Sequence, residues 1–370
     1  MQKSLVVCGQ FYNFAALQRI NNILIMARKS KKAELRKQEL ISNVPIDQRK
    51  MITQPITFAY LNGDMSVMHA RIQTTIMDKL QERIARAVKK QHEHEEGFAG
   101  SLFSKEDFAP LKGVSGNYLK FTVKYSELGV DPANYRYITE AAKAMQGSLF
   151  YEKEINGYLR RFSVFPVIDV PDESKKERRT DIKLYMDEET TKELFTFARY
   201  QKYLKDAVFC FSSGYAGRIY LLINANKYAG TWTIEYEKLR YILLATKNDK
   251  KDEKTGKYVV DKYKDIHDFK KRVLEPARRE IAEAADHIDC TFDYEFRYPA
   301  GKKRGTPDVV IFHIHLTDTG RNIKQQQIEA HDAIVQRTAG GDVKTVARQA
   351  RQKSHPAVRE TVIEPAMLEF

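Results

Sequence analysis

The chain has 370 residues, of which 42% are hydrophobic and 30% charged, a composition typical of a globular protein with two or three domains. Its formal net charge of +13 favours a polyanionic partner, either nucleic acid or an anionic membrane surface. No apolar run reaches the ~18 residues of a transmembrane helix, and the 3 cysteines fit neither a disulfide framework nor a zinc pattern. The scattered cysteines predict a reducing, cytoplasmic location. Of the two polyanionic partners, we expect nucleic acid and no membrane.

The N-terminal part of the chain is predicted to be an extension followed by one long helix. Residues 1–50 contain an apolar segment and a basic run, and we expect them to be partly helical. Between Ser66 and Lys90, apolar residues recur at every fourth position, which predicts an amphipathic helix. His92 and His94 follow among glutamates, but nothing nearby completes a metal site, so the sequence predicts no bound metal.

A second helix and a hairpin complete the first half of the chain. Asp131, followed by a proline, is typical of a helix N-cap and first turn. The pair Asn156-Gly157 is a strong signal for a hairpin turn. The polar face of this helix and the return strand of the hairpin contribute candidate contacts to a polyanionic partner: Arg136, Thr139, Lys143, Arg160 and Arg161.

Composition changes divide the rest of the chain. Residues 173–192 are almost wholly polar and are predicted to be a linker. The apolar spacing from Glu193 to Ser212 predicts a helix that opens the second half. Residues 319–370 lack the apolar content for a core and are predicted to be a polar, basic C-terminal tail.

The segment from 265 to 316 switches from helical to strand periodicity. Apolar residues three and four apart between Ile266 and Ile281 predict a helix, with a kink or break at Pro276. From Cys290, alternation with period two predicts a strand that returns after a turn and ends at Leu316. The opposite helix face and the turn supply further candidate contacts: Lys271, Arg272, Arg278, Arg279, Lys302, Lys303 and Arg304.

A basic-faced helix followed by a hairpin with a cationic tip is the pattern of a winged helix. Such a helix can enter a major groove of DNA while the hairpin contacts neighbouring phosphates. The alternative is a helix packed on a hairpin in any α+β domain, with a solvated charged face.

The second half repeats a pattern found in the first. WTIEYEKL at 232–239 matches FTVKYSEL at 121–128 in Thr, Tyr and Leu, and in both places a helix and a hairpin follow. We therefore predict an α+β fold of two tandem winged-helix domains, each a helix-turn-helix with a β-hairpin wing, related by internal duplication. Their predicted bounds are 51–172 and 193–318.

Catalytic motifs are weak. His313-Ile314-His315 has the His-hydrophobe-His form that rolling-circle nicking enzymes combine with a metal and a tyrosine nucleophile. It falls inside the predicted hairpin and no YxxxY helix follows it, so two polar side chains on a strand are the favoured interpretation. No GxxxxGK[ST] phosphate loop is present. The sequence predicts no catalytic residue, no cofactor and no enzyme.

Several segments resemble a known family. FKKRVLEPARREI at 269–281, ARYQKYLKDAVFCFSSGYAGRIYLLI at 198–223 and LFYEKEINGYLRRFSVFP at 149–166 resemble the iteron-binding Rep initiators of theta-replicating bacterial plasmids. The resemblance implies binding of double-stranded DNA. Monomers would bind the direct repeats of a plasmid origin, and homodimers would bind an operator and repress the protein's own gene. It also implies recruitment of the host replication initiator and the replicative helicase, without cleavage of DNA and without a nucleotide.

Two other functions stay open at this point. A transcriptional regulator on the same fold would bind a promoter without supporting plasmid maintenance. A nicking enzyme would use His313 and His315 in metal-dependent cleavage of a supercoiled origin.

Overall fold

The computed structural model describes residues 50–93, 102–172, 179–195, 200–244, 263, 265–300 and 305–338. Contacts divide the chain into one unit of residues Met1–Lys50 and a second of residues Met51–Phe370, and the described fold is that of the second unit. Most of the predicted extension and the end of the predicted tail therefore lie outside the described residues. No helix in the described part of the chain combines the length and apolarity that a membrane crossing requires.

The first half is built from helices that pack against antiparallel strands. In chain order its elements are β1 (Met51–Pro55), α1 (Val67–Lys79), α2 (Gln81–Glu93), β2 (Phe108–Leu111), β3 (Val114–Lys124), α3 (Tyr135–Ser148), β4 (Phe150–Ile155), β5 (Tyr158–Ser163), β6 (Val167–Asp169), β7 (Asp181–Asp187) and α4 (Glu188–Leu194). The one long helix predicted from Ser66 is two helices, α1 and α2. Ser66 begins α1 by a capping box with His69.

Two separate sheets support this half. One has four strands in the order β2-β3-β7-β6, and the other is the hairpin of β4 and β5, hereafter the first hairpin. The linker prediction for 173–192 is wrong at β7, which pairs with β3 along its whole length and with β6 on its other side. Ile182 and Leu184 are fully buried there. A segment this short gave too few alternations to predict a strand.

The second half contains the remaining elements. They are β8 (Tyr200–Leu204), α5 (Lys205–Cys210), α6 (Gly214–Ala225), β9 (Thr231–Glu235), α7 (Tyr236–Leu244), α8 (Ile266–Phe269), α9 (Glu275–Glu283), β10 (Cys290–Arg297), β11 (Val309–Leu316) and α10 (Asp318–Thr338). A π-helical turn, Lys270–Leu274, joins α8 to α9, and these three pieces together are the basic helix. The second hairpin, β10 and β11, forms a three-stranded sheet with β9 in the order β10-β11-β9. This order of helices followed by a hairpin is that of a winged helix.

A strand pair joins the two halves. β1 from the start of the first half runs antiparallel to β8, from Met51 opposite Leu204 to Pro55 opposite Tyr200. The helix predicted from Glu193 to Ser212 is therefore wrong in its middle. Its apolar spacing suits a helix, but pairing with a strand about 150 positions earlier in the chain makes it extended, a contact that local periodicity does not contain.

The two halves share an order of elements but differ in strand pairing. The matched residues of the repeated pattern have matched burial: Val123 and Ile234 lie in the core, as do Tyr125 and Tyr236. In the second half the strand of this pattern, β9, pairs with the hairpin strand β11, whereas in the first half β3 pairs with β2 and β7. The mixed α+β architecture and the winged helix of the second half are confirmed, and internal duplication stays a prediction.

A glycine at the junction of the halves is predicted to tolerate no side chain. Gly63 has a φ of +124°, and a Cβ there would lie 1.6 Å from the carbonyl oxygen of Ser148. We expect Gly63→Ala to lower the free energy of unfolding by about 2–4 kcal/mol, measured by urea denaturation. Gly113 has a φ of +81° with nothing within 4 Å of its Cβ position, so Gly113→Ala should cost only about 1 kcal/mol of backbone strain. Equal losses in the two variants would contradict the role of the close approach.

Candidate nucleic-acid interface

The basic helix presents cations on one face because its other face is core. Phe269, Val273, Ala277 and Ile281 are fully buried, in the row that the sequence predicts. The opposite side exposes all four cations that the sequence predicts there: Lys271, Arg272, Arg278 and Arg279. Lys270 is exposed beside them and was missed by the sequence analysis. The sequence could have indicated this exposure, because Lys270 directly follows Phe269, a residue of the buried row.

The helix continues across Pro276 by widening one turn. Proline has no N–H to donate, and in a regular α-helix its ring clashes with the carbonyl of the residue four positions earlier. The turn Lys270–Leu274 is π-helical, and the N–H of Glu275 bonds to the carbonyl of Lys270, five residues earlier. The predicted kink is thus a π-turn rather than a break, and such turns recur at functional sites.

Arg278 is tied to the protein on both sides. Its Nη1 donates to Asp293 Oδ1 at 3.0 Å, and its Nη2 donates to Glu275 Oε2 at 3.1 Å. The hydroxyl of Tyr294 donates to Glu275 Oε1 at 2.7 Å. The bond from Tyr294 is the first cause that lowers the pKa of Glu275, followed by burial, which opposes it, and by Arg278. The cluster fixes the basic helix to β10, a role that its sequence spacing did not reveal.

The other cations of this helix are less constrained. Arg272 lies 3.7 Å from Asp268 Oδ1 with 62% of its side chain exposed, a weak ion pair in solvent. Lys271 and Arg279 have no hydrogen-bond or ion-pair partner among the described residues. These three side chains can therefore exchange water for an anionic ligand without losing a strong internal contact.

Helix α3 of the first half places only part of its predicted set in solvent. Arg136 pairs with Glu140 at 3.0 Å while 79% of its side chain stays exposed, and Lys143 is also exposed. Thr139 was predicted on this polar face, and that placement is wrong. It is only 4% exposed, and its Oγ1 lies 2.7 Å from the hydroxyl of Tyr125. The hydroxyl satisfies a buried polar group, so Thr139 is a core residue.

The predicted cations of the first hairpin have different surroundings. Arg160 is exposed and has no partner among the described residues. Arg161 instead donates to Glu152 Oε1 at 3.0 Å and to the Tyr241 hydroxyl at 3.2 Å, and its Cζ lies 4.1 Å from the ring centroid of Phe150. Burial lowers the pKa of Arg161, but the bond to Glu152 and the contact with Tyr241 outweigh it, so the net shift is upward.

Tyr241 belongs to α7, so Arg161 links the first hairpin to the second half of the chain.

The cations predicted at the tip of the second hairpin, Lys302, Lys303 and Arg304, lie outside the described residues.

The histidine pair lies on the solvent side of β11. His315 Nε2 is 3.5 Å from Asp293 Oδ2, and His313 Nε2 is 3.7 Å from Glu295 Oε1. Both imidazoles thus face carboxylates across the strand pair. Within the described ranges, no group of His, Cys, Asp or Glu side chains has the arrangement of a metal site.

Comparison with known proteins bears on the second half. A search among curated proteins finds none that matches the chain. The solved structure described as "Crystal structure of Pi initiator protein in complex with iteron DNA" aligns with a TM-score of 0.42 and 15% identity, over 73% of this chain and 98% of that chain.

A family model described as "Initiator Rep protein, WH2" matches residues 257–316. This range contains the whole basic helix and both strands of the second hairpin. The sequence resemblance is confirmed over this range, and residues 257–316 are similar to the WH2 domain of initiator Rep proteins.

Proposed function

We propose that the chain initiates plasmid replication by binding double-stranded DNA at the direct repeats of an origin. The observation that carries this proposal is the WH2 domain match over the segment whose helix exposes Lys271, Arg272 and Arg279. Binding of an operator by a homodimer, with repression of the chain's own gene, belongs to the same proposal. So do a cytoplasmic location, recruitment of the host replication initiator and replicative helicase, and a function without enzymatic activity or cofactor.

The two halves would occupy successive grooves of one duplex. The basic helix enters one major groove, where arginines can bind guanine edges in bidentate geometry. Helix α3 enters the next groove with Arg136 and Lys143. Because successive major grooves on one face are about 34 Å apart, one chain should cover roughly 20 base pairs.

Cations of the hairpins serve another purpose in this proposal. Arg160, Lys302, Lys303 and Arg304 contact phosphates, which positions the protein without reading sequence. The net charge of +13 adds a long-range attraction that weakens as salt screens it.

The direct test is a footprint on the DNA that flanks the gene. We expect protection of direct repeats of about 20 base pairs, one chain per repeat. Protection of a promoter alone, in DNA that cannot sustain a plasmid, would favour the transcriptional regulator instead.

The same protein can be incubated with the supercoiled flanking DNA and Mg²⁺ or Mn²⁺. The proposed function predicts no cleavage. Nicking that His313→Ala abolishes would contradict it and favour the nicking enzyme.

Neighbouring arginines of the first hairpin should respond differently to substitution. Arg160→Ala should weaken binding to all DNA sequences alike and lower the salt slope of log K by about one, because it removes one phosphate contact. Arg161→Ala should instead lower the free energy of unfolding by about 1 kcal/mol, because it breaks the ring contact and the bond to Tyr241. Salt titrations of binding and urea denaturation measure the two effects. An exchange of these two phenotypes would show that Arg161 contacts the DNA.

A further inference from the structure

The first hairpin is a finger with an open tip. It forms a two-stranded sheet of its own, and its turn residues Asn156 and Gly157 have φ of 54° and 79°, as tight hairpin turns require. Tyr158 is 78% exposed and Leu159 is 65% exposed, the highest values among the large hydrophobic residues that the structure describes. A Cβ at Gly157 would meet nothing within 4 Å. The tip therefore projects away from its surroundings.

The base of the finger, in contrast, is held firmly. The rings of Tyr151 and Phe162 stack across the two strands, with centroids 5.0 Å apart and an interplanar angle of 9°. Lys153 Nζ donates to Glu193 Oε2 at 2.7 Å, which ties the finger to α4. Ser163 Oγ donates to the carbonyl of Gln146 in α3 at 2.6 Å. Because the base is held in place, the tip keeps a fixed position relative to the rest of the first half.

The arrangement of the exposed residues suits a nucleic acid better than a protein. Alternation along β5 places Tyr158 and Arg160 on one face and Leu159 on the other. Protein-binding surfaces gather their apolar residues in one contiguous patch, whereas these two lie on opposite faces of a narrow ribbon. A two-stranded ribbon fits a DNA groove. Proteins that kink DNA insert apolar side chains between base steps, next to cations that hold the backbone.

We propose that this tip is a wedge that unstacks one base step of the bound duplex. Tyr158 and Leu159 enter between base pairs, and Arg160 binds an adjoining phosphate. The inference rests on the proposed function and adds to it the state of DNA that the first half selects, which is duplex bent or opened at one step. Pyrimidine–purine steps such as TA unstack most easily, so the wedge favours them.

Permanganate oxidation of thymine tests the wedge, because it attacks thymines that have lost their stacking. The full chain is bound to the DNA fragment that flanks the gene, at protein concentrations that give a complete footprint. We expect wild-type protein to increase oxidation of thymines at one step in each protected site. The double variant Tyr158→Ser, Leu159→Ser should reduce that oxidation roughly fivefold or more. Tyr158→Phe should retain it, because stacking requires the ring and not the hydroxyl.

Matched measurements separate the outcomes. Tyr228 in the second half is 49% exposed, and Tyr228→Ala should leave both footprint and oxidation as in the wild type. Equal oxidation in the serine variant and the wild type would overturn the wedge and leave DNA binding intact. So would a serine variant whose molar mass in light scattering falls while its oxidation pattern is unchanged, since the tip would then join two copies of the chain. Absence of any wild-type footprint would instead overturn the proposed function itself, and the wedge with it.

Discussion

Replacing Arg272 and Arg279 together with alanine is expected to weaken binding to the flanking DNA by about thirtyfold or more. Each arginine that reads a guanine contributes about 1–3 kcal/mol, and two such losses add when the contacts are separate. Both side chains are exposed on the basic helix and neither has a strong internal partner, so the fold should not change. Fluorescence anisotropy with a labelled repeat duplex measures the affinity, and circular dichroism checks the fold.

The matched control removes an exposed arginine from another helix. Arg321 in α10 is 62% exposed and pairs with Asp318, so Arg321→Ala should leave the affinity unchanged. If the double variant binds the repeats as tightly as the wild type, the face of the basic helix assigned to DNA is wrong.

Arg278 provides an internal comparison on the same helix. Because its guanidinium already bonds to Asp293 and Glu275, it must give up those bonds to reach a base. Arg278→Ala should therefore change affinity less than Arg279→Ala does, and it should lower stability more. The reverse order would mean that the cluster opens when DNA binds.

Asp289→Ala is expected to lower the free energy of unfolding by about 3–5 kcal/mol, the largest stability effect in the second half. Asp289 is fully buried and accepts hydrogen bonds from the Tyr220 hydroxyl at 2.6 Å, from Asn224 Nδ2 at 2.8 Å and from Lys227 Nζ at 2.6 Å. Its loss leaves the ammonium of Lys227 buried without its counter-charge. Lys227 also donates to the carbonyl of Lys202 in β8, so the damage extends to the strand pair that joins the halves.

An exposed ion pair supplies the control for this prediction. Arg136 and Glu140 are 79% and 59% exposed, so Arg136→Ala should cost less than about 0.5 kcal/mol of stability. Urea denaturation of both variants gives the comparison. A loss at Asp289 no larger than the loss at Arg136 would show that the buried cluster does not hold the second half together.

Because of the same cluster, the free energy of unfolding should fall at alkaline pH. Burial lowers the pKa of Lys227, but the charge of Asp289, together with Tyr228, Cys290 and the hydrogen bond to Asp289, outweighs burial, and the net shift is upward. Burial, with help from Asp289, raises the pKa of Tyr220 well above its ordinary value. Both groups therefore hold their protons longer in the folded state than in the unfolded state. Their contribution to stability is complete below about pH 10 and is lost as the pH rises through the folded-state pKa values.

Which face of an element is buried could be predicted from the sequence where the element is long. The buried row of the basic helix and the alternation of the second hairpin follow from residue spacing, because one face of each element must leave water. The turn at Asn156-Gly157 follows from backbone preference alone. Short segments with long-range partners were not readable. β7 and β8 each have few alternating residues, and their partners β3 and β1 lie far away in the chain.

Spacing also placed Thr139 on the wrong side of α3. A helical projection assigns each residue an angle, but the width of the buried face depends on what packs there. Tyr125 extends its hydroxyl to Thr139 and so widens that face. A polar residue at the edge of an apolar stripe can belong to either side until its neighbours are known.

The residue pattern was enough to assign the winged helix of the second half and the cationic face of its helix, because both depend on local periodicity and charge. Which of those cations are available to a ligand depended on the folded chain. Arg278 and Arg161 look no different from Arg279 and Arg160 in sequence. Folding nevertheless gives Arg278 the carboxylate of Asp293 in β10, and it gives Arg161 the carboxylate of Glu152 in β4 and the hydroxyl of Tyr241 in α7. Whether a cation is free to bind a ligand depends on the side chains that folding brings next to it. The spacing of residues along the sequence does not show which side chains those are.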